Sequence, residues 1–268
     1  MAPSRPDRAY HLRPELERLP RYIPGLSAED LKDRRTPSGA PQATAQAAAG
    51  PQAADEAPVK LSSNENPLGP SPRAVEAVSR AAWEAHRYPD SECRRLRAAL
   101  SRRWDLPEEQ IVVANGTDNV ITLVAQVLLG PGCLAAIPAI TFAAYEIAAR
   151  LSGADVEKVP MNGAAIDVEG MARALVHGAR VAFVANPNNP TGAILTAAEV
   201  ERLVAAVPDG SALVLDEAYA EFVSNPAYPD GAGLVRRGEP VVVLRTFSKA
   251  YGLAGLRVGY ALAPAPVA

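Results

Sequence analysis

The sequence contains only two cysteines, Cys93 and Cys133, among its 268 residues. Two cysteines are too few for a disulfide framework, and they do not form the CxxC spacing of a redox or zinc motif. Each is more typical of a small buried apolar residue than of a reactive thiol. Neither cysteine chemistry nor a metal site is therefore expected.

Strong net charge and long apolar runs are also absent. The formal net charge is −3 and the sequence pI is about 5.7, which provides no electrostatic case for a nucleic acid or an anionic membrane as partner. No stretch approaches the ~20 apolar residues of a membrane-spanning helix. The first twenty residues carry charges without the apolar core of a secretory signal, so we expect a cytoplasmic protein.

Composition divides the chain into three segments. Residues 1–35 contain a short helical pattern, LRPELERL, followed by PRYIPG. Residues 36–58 are dominated by Ala, Pro, Gly and Gln, and few large apolar side chains are available there to offset chain entropy. We predict a flexible insert at 36–58 and an ordered domain at 59–268.

The domain at 59–268 alternates helical patterns with short apolar runs. Runs of strand length lie at 111–115, 133–137, 180–186, 211–218, 241–247 and 258–263, and helical patterns lie at 72–86 and 93–104 and begin at 119, 141, 168 and 197. This alternation is typical of an α/β fold with a mainly parallel sheet and helices on both faces. In such sheets ligands bind at the carboxyl ends of the strands.

Four of the apolar runs end in a cluster of polar residues. The clusters are NGTD (115–118), NPNNPTG (186–192), DEAY (216–219) and TFSK (246–249). A single cluster would be interpreted as a turn. Because the carboxyl ends of parallel strands lie along one edge of a sheet, four of them are expected to converge on one site.

Lys249 is the centre of the predicted site. A lone lysine near a loop is usually a surface residue, but a partly desolvated lysine can form a Schiff base with an aldehyde cofactor. Asp216 ends a buried run, where a carboxylate needs a cation such as a protonated pyridine nitrogen; alternatively it caps the segment that follows. The amide of Asn189, in a proline-rich loop, is suited to donate to a phenolate oxygen, although an ordinary turn is the alternative.

Two further groups of residues indicate an anion site. Gly116, Thr117 and Asp118 open a helix after a strand, where free backbone N–H groups and the helix dipole favour an anion. A phosphate cup would be completed by side chains from a later part of the chain: Thr246, Ser248 and Arg257.

Together these motifs resemble the class I and II aminotransferases of pyridoxal 5′-phosphate (PLP) fold type I, and most closely the branch of histidinol-phosphate and aromatic amino-acid aminotransferases. The resemblance covers residues 11–35 and 59–268. It is carried by LRPELERLPRYIPG near the start and by LSSNENPLGPSP (61–72), RYPD (87–90), NPNNPTG, DEAYAEF (216–222) and RTFSKAYGLAGLRVGY (245–260). It implies that 59–268 forms the PLP-binding large domain. Relatives continue well beyond Ala268, so it also implies a C-terminally truncated chain whose small domain is largely missing.

The resemblance assigns roles to individual residues. Lys249 would bind the cofactor aldehyde and move protons, and Asp216 would pair with the pyridine nitrogen. Asn189 and Tyr219 would bind the phenolic oxygen. The residues expected around the phosphate are Gly116, Thr117, Asp118, Thr246, Ser248 and Arg257.

Three more positions match family residues. Phe142 aligns with the aromatic residue that stacks on the cofactor ring, although a core aromatic at the start of a helix is the alternative. Tyr88 of RYPD matches a tyrosine that reaches the phosphate in the other subunit, which implies a homodimer, and Asn66 lies in a segment that lines the substrate pocket. Ile140 stands where the family usually has proline, so the loop before Phe142 is expected to be placed slightly differently.

The function implied by the resemblance is transamination with PLP as cofactor. The amino donor would be histidinol phosphate or an aromatic amino acid and the acceptor 2-oxoglutarate, in histidine or other amino-acid biosynthesis. Two alternatives remain. One is a PLP-dependent decarboxylase of the threonine-phosphate type. The other is an inactive PLP-binding fragment, because the region beyond Ala268 normally supplies an arginine for the substrate carboxylate.

Overall fold

The computed structural model of the chain describes residues 61–268, together with Leu19. The predicted insert at 36–58 and the remainder of the N-terminal segment lie outside the described residues. Contact clustering divides the chain into two units, one of which includes Asn66–Ala268 and the other residues 61–65. All the helices and strands given below belong to Asn66–Ala268.

A seven-stranded sheet forms the centre of this unit. The strands in chain order are β1 (Ile111–Ala114), β2 (Leu134–Pro138), β3 (Asp155–Val159), β4 (Ala179–Ala185), β5 (Ala212–Asp216), β6 (Val241–Thr246) and β7 (Gly259–Leu262). They lie side by side in the order β1-β7-β6-β5-β4-β2-β3. The neighbours from β3 to β6 are parallel, whereas β7 is antiparallel to both β6 and β1. The predicted mainly parallel sheet is confirmed, with β7 as its one reversed strand in the part of the chain described.

Helices cover the sheet on both faces. The helices of this unit are α1 (Pro72–Ala82), which buries no side chain, and α2 (Arg94–Trp104), α3 (Thr117–Leu128), α4 (Ala144–Leu151), α5 (Val168–Val176), α6 (Ala197–Ala205) and α7 (Gly231–Arg236), which pack on the sheet. Local sequence explains several helix starts: Asp167 caps α5, and Thr196 and Glu199 form a capping box at α6. None of the helices in residues 61–268 has the length and apolar character needed to cross a bilayer.

Two apolar cores lie on opposite faces of the sheet. Successive residues of a strand point to opposite faces, so Phe183 packs with Ile121 of α3 in one core. Its neighbour Val184 packs with Leu175 of α5 and Leu203 of α6 in the other. All five side chains are fully buried. Burial on both faces explains why the central strands are almost continuously apolar.

Two elements were not predicted from the sequence. Strand β3 reads DVEKV and lies at the edge of the sheet, where its charged side chains face solvent and no apolar run marks the strand. Helix α7 is only six residues long and contains two glycines. The DEAYAEF segment forms a short 3-10 turn, Ala220–Phe222, rather than the helix that Asp216 would have capped.

Candidate active site

The four predicted polar clusters lie at one edge of the sheet. Each follows the carboxyl end of its strand: β1, β4, β5 or β6. Strand β1 runs parallel to β6, because β7 between them is antiparallel to both. Asn186 N donates to Asp216 O (2.8 Å) and so joins two of the clusters, and Glu217 N donates to Leu244 O (3.0 Å), two residues before the cluster that begins at Thr246. The sheet therefore brings the clusters together.

Lys249 lies in the turn after β6 and is half-buried. Its Nζ is 5.6 Å from the centroid of the Tyr219 ring, which belongs to the turn after β5. The positive charge of Lys249 also acts on the buried carboxylate of Asp216 and favours its ionised form. The lysine, the tyrosine and the carboxylate that the sequence singled out thus lie in one place.

Asp216 is a buried carboxylate with two hydrogen-bond donors. The Tyr145 hydroxyl donates to Oδ2 (2.8 Å) and Ala218 N donates to Oδ1 (3.0 Å). Burial raises the pKa of Asp216 from 3.8 to about 6, against the effect of the two hydrogen bonds and of Lys249. Within residues 61–268 no lysine or arginine lies in ion-pair contact with it. The site therefore offers a buried anion for a cationic group.

Tyr145 is a site residue that the sequence did not reveal. It is fully buried in α4, and its ring stacks on Phe183 at 5.2 Å and meets Phe142 edge-on at 5.7 Å. The spacing of Phe142 and Tyr145, three residues apart at the start of a helix, was the available signal, because such residues share a face. Tyr145 thus contacts both Asp216 and the predicted ring-stacking residue Phe142.

The predicted phosphate cup also forms one cluster. Thr246 Oγ1 lies 3.0 Å from Ser248 Oγ, and Arg257 Nη1 donates to the same Ser248 oxygen (3.4 Å). Arg257 Nη2 donates to Asp118 Oδ2 (3.1 Å), in the first turn of α3. Gly116 precedes that helix with φ +78°, and a Cβ there would lie 2.4 Å from Arg257 Nη2. Glycine thus lets the guanidinium approach the free N–H groups of the helix, where Thr117 is half-buried.

The ion pair inside the cup is weak, so an anion that binds Arg257 more strongly than Asp118 does could take its place. Asp118 and Arg257 form an ion pair, but their side chains are 57% and 47% exposed. Exposed ion pairs contribute little, about 0–1 kcal/mol. A phosphate dianion offers several charge-assisted hydrogen bonds to the same guanidinium and helix N-terminus. The Asp118 side chain is an addition to the sequence prediction, which used only its backbone amide.

A second residue missed by sequence reasoning, Asn188, holds the NPNNPTG loop. Its Nδ2 donates to Ile140 O (3.0 Å) and Thr191 Oγ1 (2.9 Å), and its Oδ1 accepts from Thr141 Oγ1 (2.9 Å). Asn188 is buried and ties this loop to the segment that leads into Phe142. The adjacent Asn189 is half-buried, and its amide makes no hydrogen bond to the described part of the chain.

The remaining two predicted residues lie on different parts of the unit. Asn66 Nδ2 donates to the carbonyl oxygen of Ala250 (2.9 Å), the residue after Lys249. This bond places the 66–70 segment beside the lysine turn. Tyr88 is fully exposed in the connection between α1 and α2. The structure therefore gathers all the predicted site residues except Tyr88 around the same edge of the sheet.

The sequence is similar to those of known aminotransferases. The profile of the family described as aminotransferase class I and II matches residues 56–268. The chain is 46% identical over 202 residues to a histidinol-phosphate aminotransferase of Symbiobacterium thermophilum, covering 75% of this chain and 55% of that protein. It is 43% identical over 258 residues to an aromatic amino acid aminotransferase of Streptomyces avermitilis, covering 96% of this chain and 66% of that protein. The chain thus spans between half and two thirds of the length of these relatives.

Solved structures give the same result for the fold. Histidinol-phosphate aminotransferase from Sinorhizobium meliloti, in complex with pyridoxal 5′-phosphate, superposes with a TM-score of 0.73 at 31% identity, covering 76% of this chain and 56% of that chain. L-threonine-O-3-phosphate decarboxylase from Porphyromonas gingivalis superposes with a TM-score of 0.65 at 28% identity, covering 74% of this chain and 60% of that chain. The α/β fold predicted from the sequence is confirmed.

Proposed function

Because the chain belongs to the class I and II aminotransferase family, we propose that it is a PLP-dependent aminotransferase whose cofactor-binding domain is 59–268. One observation carries the proposal: a lysine, a buried carboxylate and an anion cup meet at one edge of the sheet. Lys249 suits the aldehyde of PLP, Asp216 its ring nitrogen, and the cup around Arg257 its phosphate. Three chemically different parts of one cofactor thus have matching groups.

The residues present fit the cofactor on two further counts. Asp216 is buried with a pKa raised to about 6 and has no ion-pair partner among the described residues. A protonated ring nitrogen would supply that partner and lower the pKa. Asn189 and Tyr219 follow the neighbouring strands β4 and β5, and the Asn189 amide and the Tyr219 hydroxyl are both proposed to donate hydrogen bonds to the phenolic oxygen.

Bound PLP would supply an electron sink for negative charge at the α-carbon of the substrate. In the proposed mechanism Asp216 would keep the ring nitrogen protonated, and Phe142 would cover one face of the ring. Lys249 would accept the proton from the substrate α-carbon and deliver it to the carbon that was the aldehyde of the cofactor, not back to the α-carbon, which is general acid–base catalysis. Thr246, Ser248 and Arg257, with Gly116, Thr117 and Asp118 at the start of α3, hold the phosphate.

We propose a donor that carries a planar ring, either histidinol phosphate or an aromatic amino acid, and 2-oxoglutarate as acceptor. The names of the relatives support this choice: histidinol-phosphate aminotransferases and aromatic amino acid aminotransferases both match at more than 40% identity. Asn66, beside the lysine turn, is proposed to line the donor pocket. Rates with histidinol phosphate and with phenylalanine, measured side by side, separate the two donors.

We also propose that the protein acts as a homodimer. Helix α1 has no buried residue, and Val75, Val78, Trp83 and Tyr88 of α1 and the connection after it are all exposed. Apolar surface of this kind is typical of an interface. Tyr88 would then reach the phosphate cup of the other subunit. Sedimentation of the wild type and of a Trp83→Asp variant tests the interface, because a charge at its centre is expected to shift the protein to monomers.

A second candidate function is supported by the fold of the threonine-phosphate decarboxylase, which superposes on this chain with a TM-score of 0.65. The same lysine, carboxylate and cup would serve a decarboxylase, since its cofactor needs the same three contacts. Release of CO₂ from L-threonine O-3-phosphate, without amino transfer to 2-oxoglutarate, would favour this candidate.

Borohydride trapping tests the proposed function. The chain is incubated with PLP, reduced, digested and analysed by mass spectrometry, and the cofactor is expected on Lys249. Lys158→Ala is the matched control. Lys158 lies on β3, at the far edge of the sheet from the cup, and forms an ion pair with Glu146 (2.7 Å). Its loss is expected to leave the labelling intact. Labelling that persists in Lys249→Ala would refute the assignment. A labelled protein that turns over no donor would instead be a PLP-binding fragment.

A further inference from the structure

A buried ion pair lies behind the proposed cofactor site. Glu217 follows Asp216 and is fully buried, and Arg245 precedes Thr246 with its side chain 11% exposed. Successive side chains of a strand alternate between faces, so both point to the face of the sheet opposite Asp216. On that face the Glu217 carboxylate forms an ion pair with Arg245 Nη2.

The surroundings hold the guanidinium firmly. Arg245 lies over the ring of Trp104, 4.7 Å from its centroid, and its Nη1 is 3.3 Å from Glu221 Oε1. Trp104 Nε1 in turn donates to the Tyr260 hydroxyl (3.1 Å) on β7. The pair therefore contacts α2 and the turn after β5, and through Trp104 it is linked to β7.

The carboxylate is confined as closely. A Cβ at Gly231, the first residue of α7, would lie 2.4 Å from Glu217 Oε1, so a larger residue there would displace the carboxylate. Within residues 61–268 neither Glu217 oxygen accepts a hydrogen bond from any group other than Arg245. Burial raises the pKa of Glu217 to about 7, although Arg245 opposes the shift. Apolar side chains of similar volume would give a protein at least as stable, because burying an ion pair costs the free energy of desolvating both charges.

We propose that Glu217 and Arg245 are positioning residues: from the opposite face of the sheet, they hold the strand ends that carry the cofactor-binding residues. The β5–β6 ladder ends at the pair Asp216–Leu244 and the backbone bond from Glu217 N to Leu244 O, and the ion pair adds a side-chain link between Glu217, the residue after β5, and Arg245 of β6. It thereby fixes the spacing between Asp216 and the turn that carries Thr246 and Lys249. Two apolar side chains would fill the volume without that directional link. The inference rests on the proposed function, because the spacing matters only to a ligand that contacts both strand ends.

A double variant, Glu217→Leu with Arg245→Met, separates positioning from stability. Its urea midpoint is expected to equal or exceed that of the wild type, since apolar isosteres replace the pair. The dissociation constant for PLP is expected to rise at least tenfold, and the pH midpoint of the absorbance of the unreduced lysine–cofactor linkage is expected to shift. The control is Glu201→Leu with Arg237→Met, which removes a half-exposed ion pair between α6 and the end of α7; its PLP affinity should stay within twofold.

Each outcome decides the proposal. A stable double variant that binds PLP within twofold of the wild type, with an unchanged pH midpoint, would overturn it. A double variant that fails to fold would also overturn it, because the pair would then be required for the fold itself. Failure of the wild type to bind PLP at Lys249 would overturn the proposed function, and this inference with it. The Glu217→Gln variant adds a graded test, since it keeps the volume and removes only the negative charge.

Discussion

Replacing Tyr145 by phenylalanine removes one hydroxyl from the buried site and leaves the ring packed on Phe183. That hydroxyl donates to Asp216 Oδ2 at 2.8 Å. Loss of a hydrogen bond to a charged group costs about 1.5–3 kcal/mol, against about 0.5–1.5 kcal/mol for a neutral one. Because the pKa of Asp216 is about 6 in the folded protein, we expect the larger loss at pH 8 and the smaller one at pH 5.

The sign of the accompanying pH dependence follows from linkage. The folded pKa of Asp216 is raised above its usual value of 3.8, so the folded state holds the proton more tightly than the unfolded state. The free energy of unfolding of the cofactor-free protein therefore falls as the pH rises from about 4 to about 6. In Tyr145→Phe the pKa of Asp216 is expected to rise further, because a donor to the carboxylate is lost. The fall would then extend to higher pH.

Urea unfolding of the cofactor-free protein at pH 5 and pH 8 measures both effects. Tyr228→Phe is the control, because the Tyr228 hydroxyl donates to the backbone carbonyl of Asn186, a neutral acceptor that does not titrate. We expect its loss to be about 0.5–1.5 kcal/mol at both pH values. A Tyr145→Phe loss that is equal at the two pH values, or no larger than that of Tyr228→Phe, would refute the reasoning.

Three further changes follow from the same structure. Asp216→Asn should reduce by about 2 kcal/mol the decline in the free energy of unfolding between pH 4 and pH 6, measured by urea titration, and leave the part due to Glu217, whose pKa is also raised; an unchanged decline would contradict the assignment to Asp216. Arg257→Met should weaken PLP binding about tenfold to a hundredfold, measured by absorbance titration, and equal affinity would exclude a phosphate contact. Phe183→Ala should lower the free energy of unfolding in urea by about 3–5 kcal/mol, because Phe183 is fully buried and stacks on Tyr145; a loss below 1 kcal/mol would indicate that the cavity closes.

Local sequence patterns predicted most of the fold. The strands with apolar runs, such as β4 and β5, were recognised because both of their faces are buried. Strand β3 was not predicted because only one of its five residues is buried, and its charged sequence is typical of a loop. No local sequence pattern predicts that β7 is antiparallel, because the direction of a strand depends on the strands that it pairs with.

The candidate site divides in the same way. Lys249 and Asp216 could be predicted because each follows an apolar run and stands in a distinctive motif. The contact of Tyr145 with Asp216 could not, since 71 positions separate the two residues and only the packing of α4 on the sheet joins them. Asn188 is similar: its role in the loop depends on the distant segment at Ile140.

The reversed strand β7 also governs when the site can be assembled. Ile111 at the start of β1 pairs with Leu262, and Val243 of β6 pairs with the same residue from the other side. Strand β1 leads into the phosphate cup at Gly116. Its partner β7 lies about 150 residues later in the chain and is therefore synthesised long after β1. Contacts between such distant positions form slowly, because loop-closure entropy must first be overcome. Pulsed hydrogen exchange during refolding should therefore find the β1 amides protected last, and early protection would contradict this order.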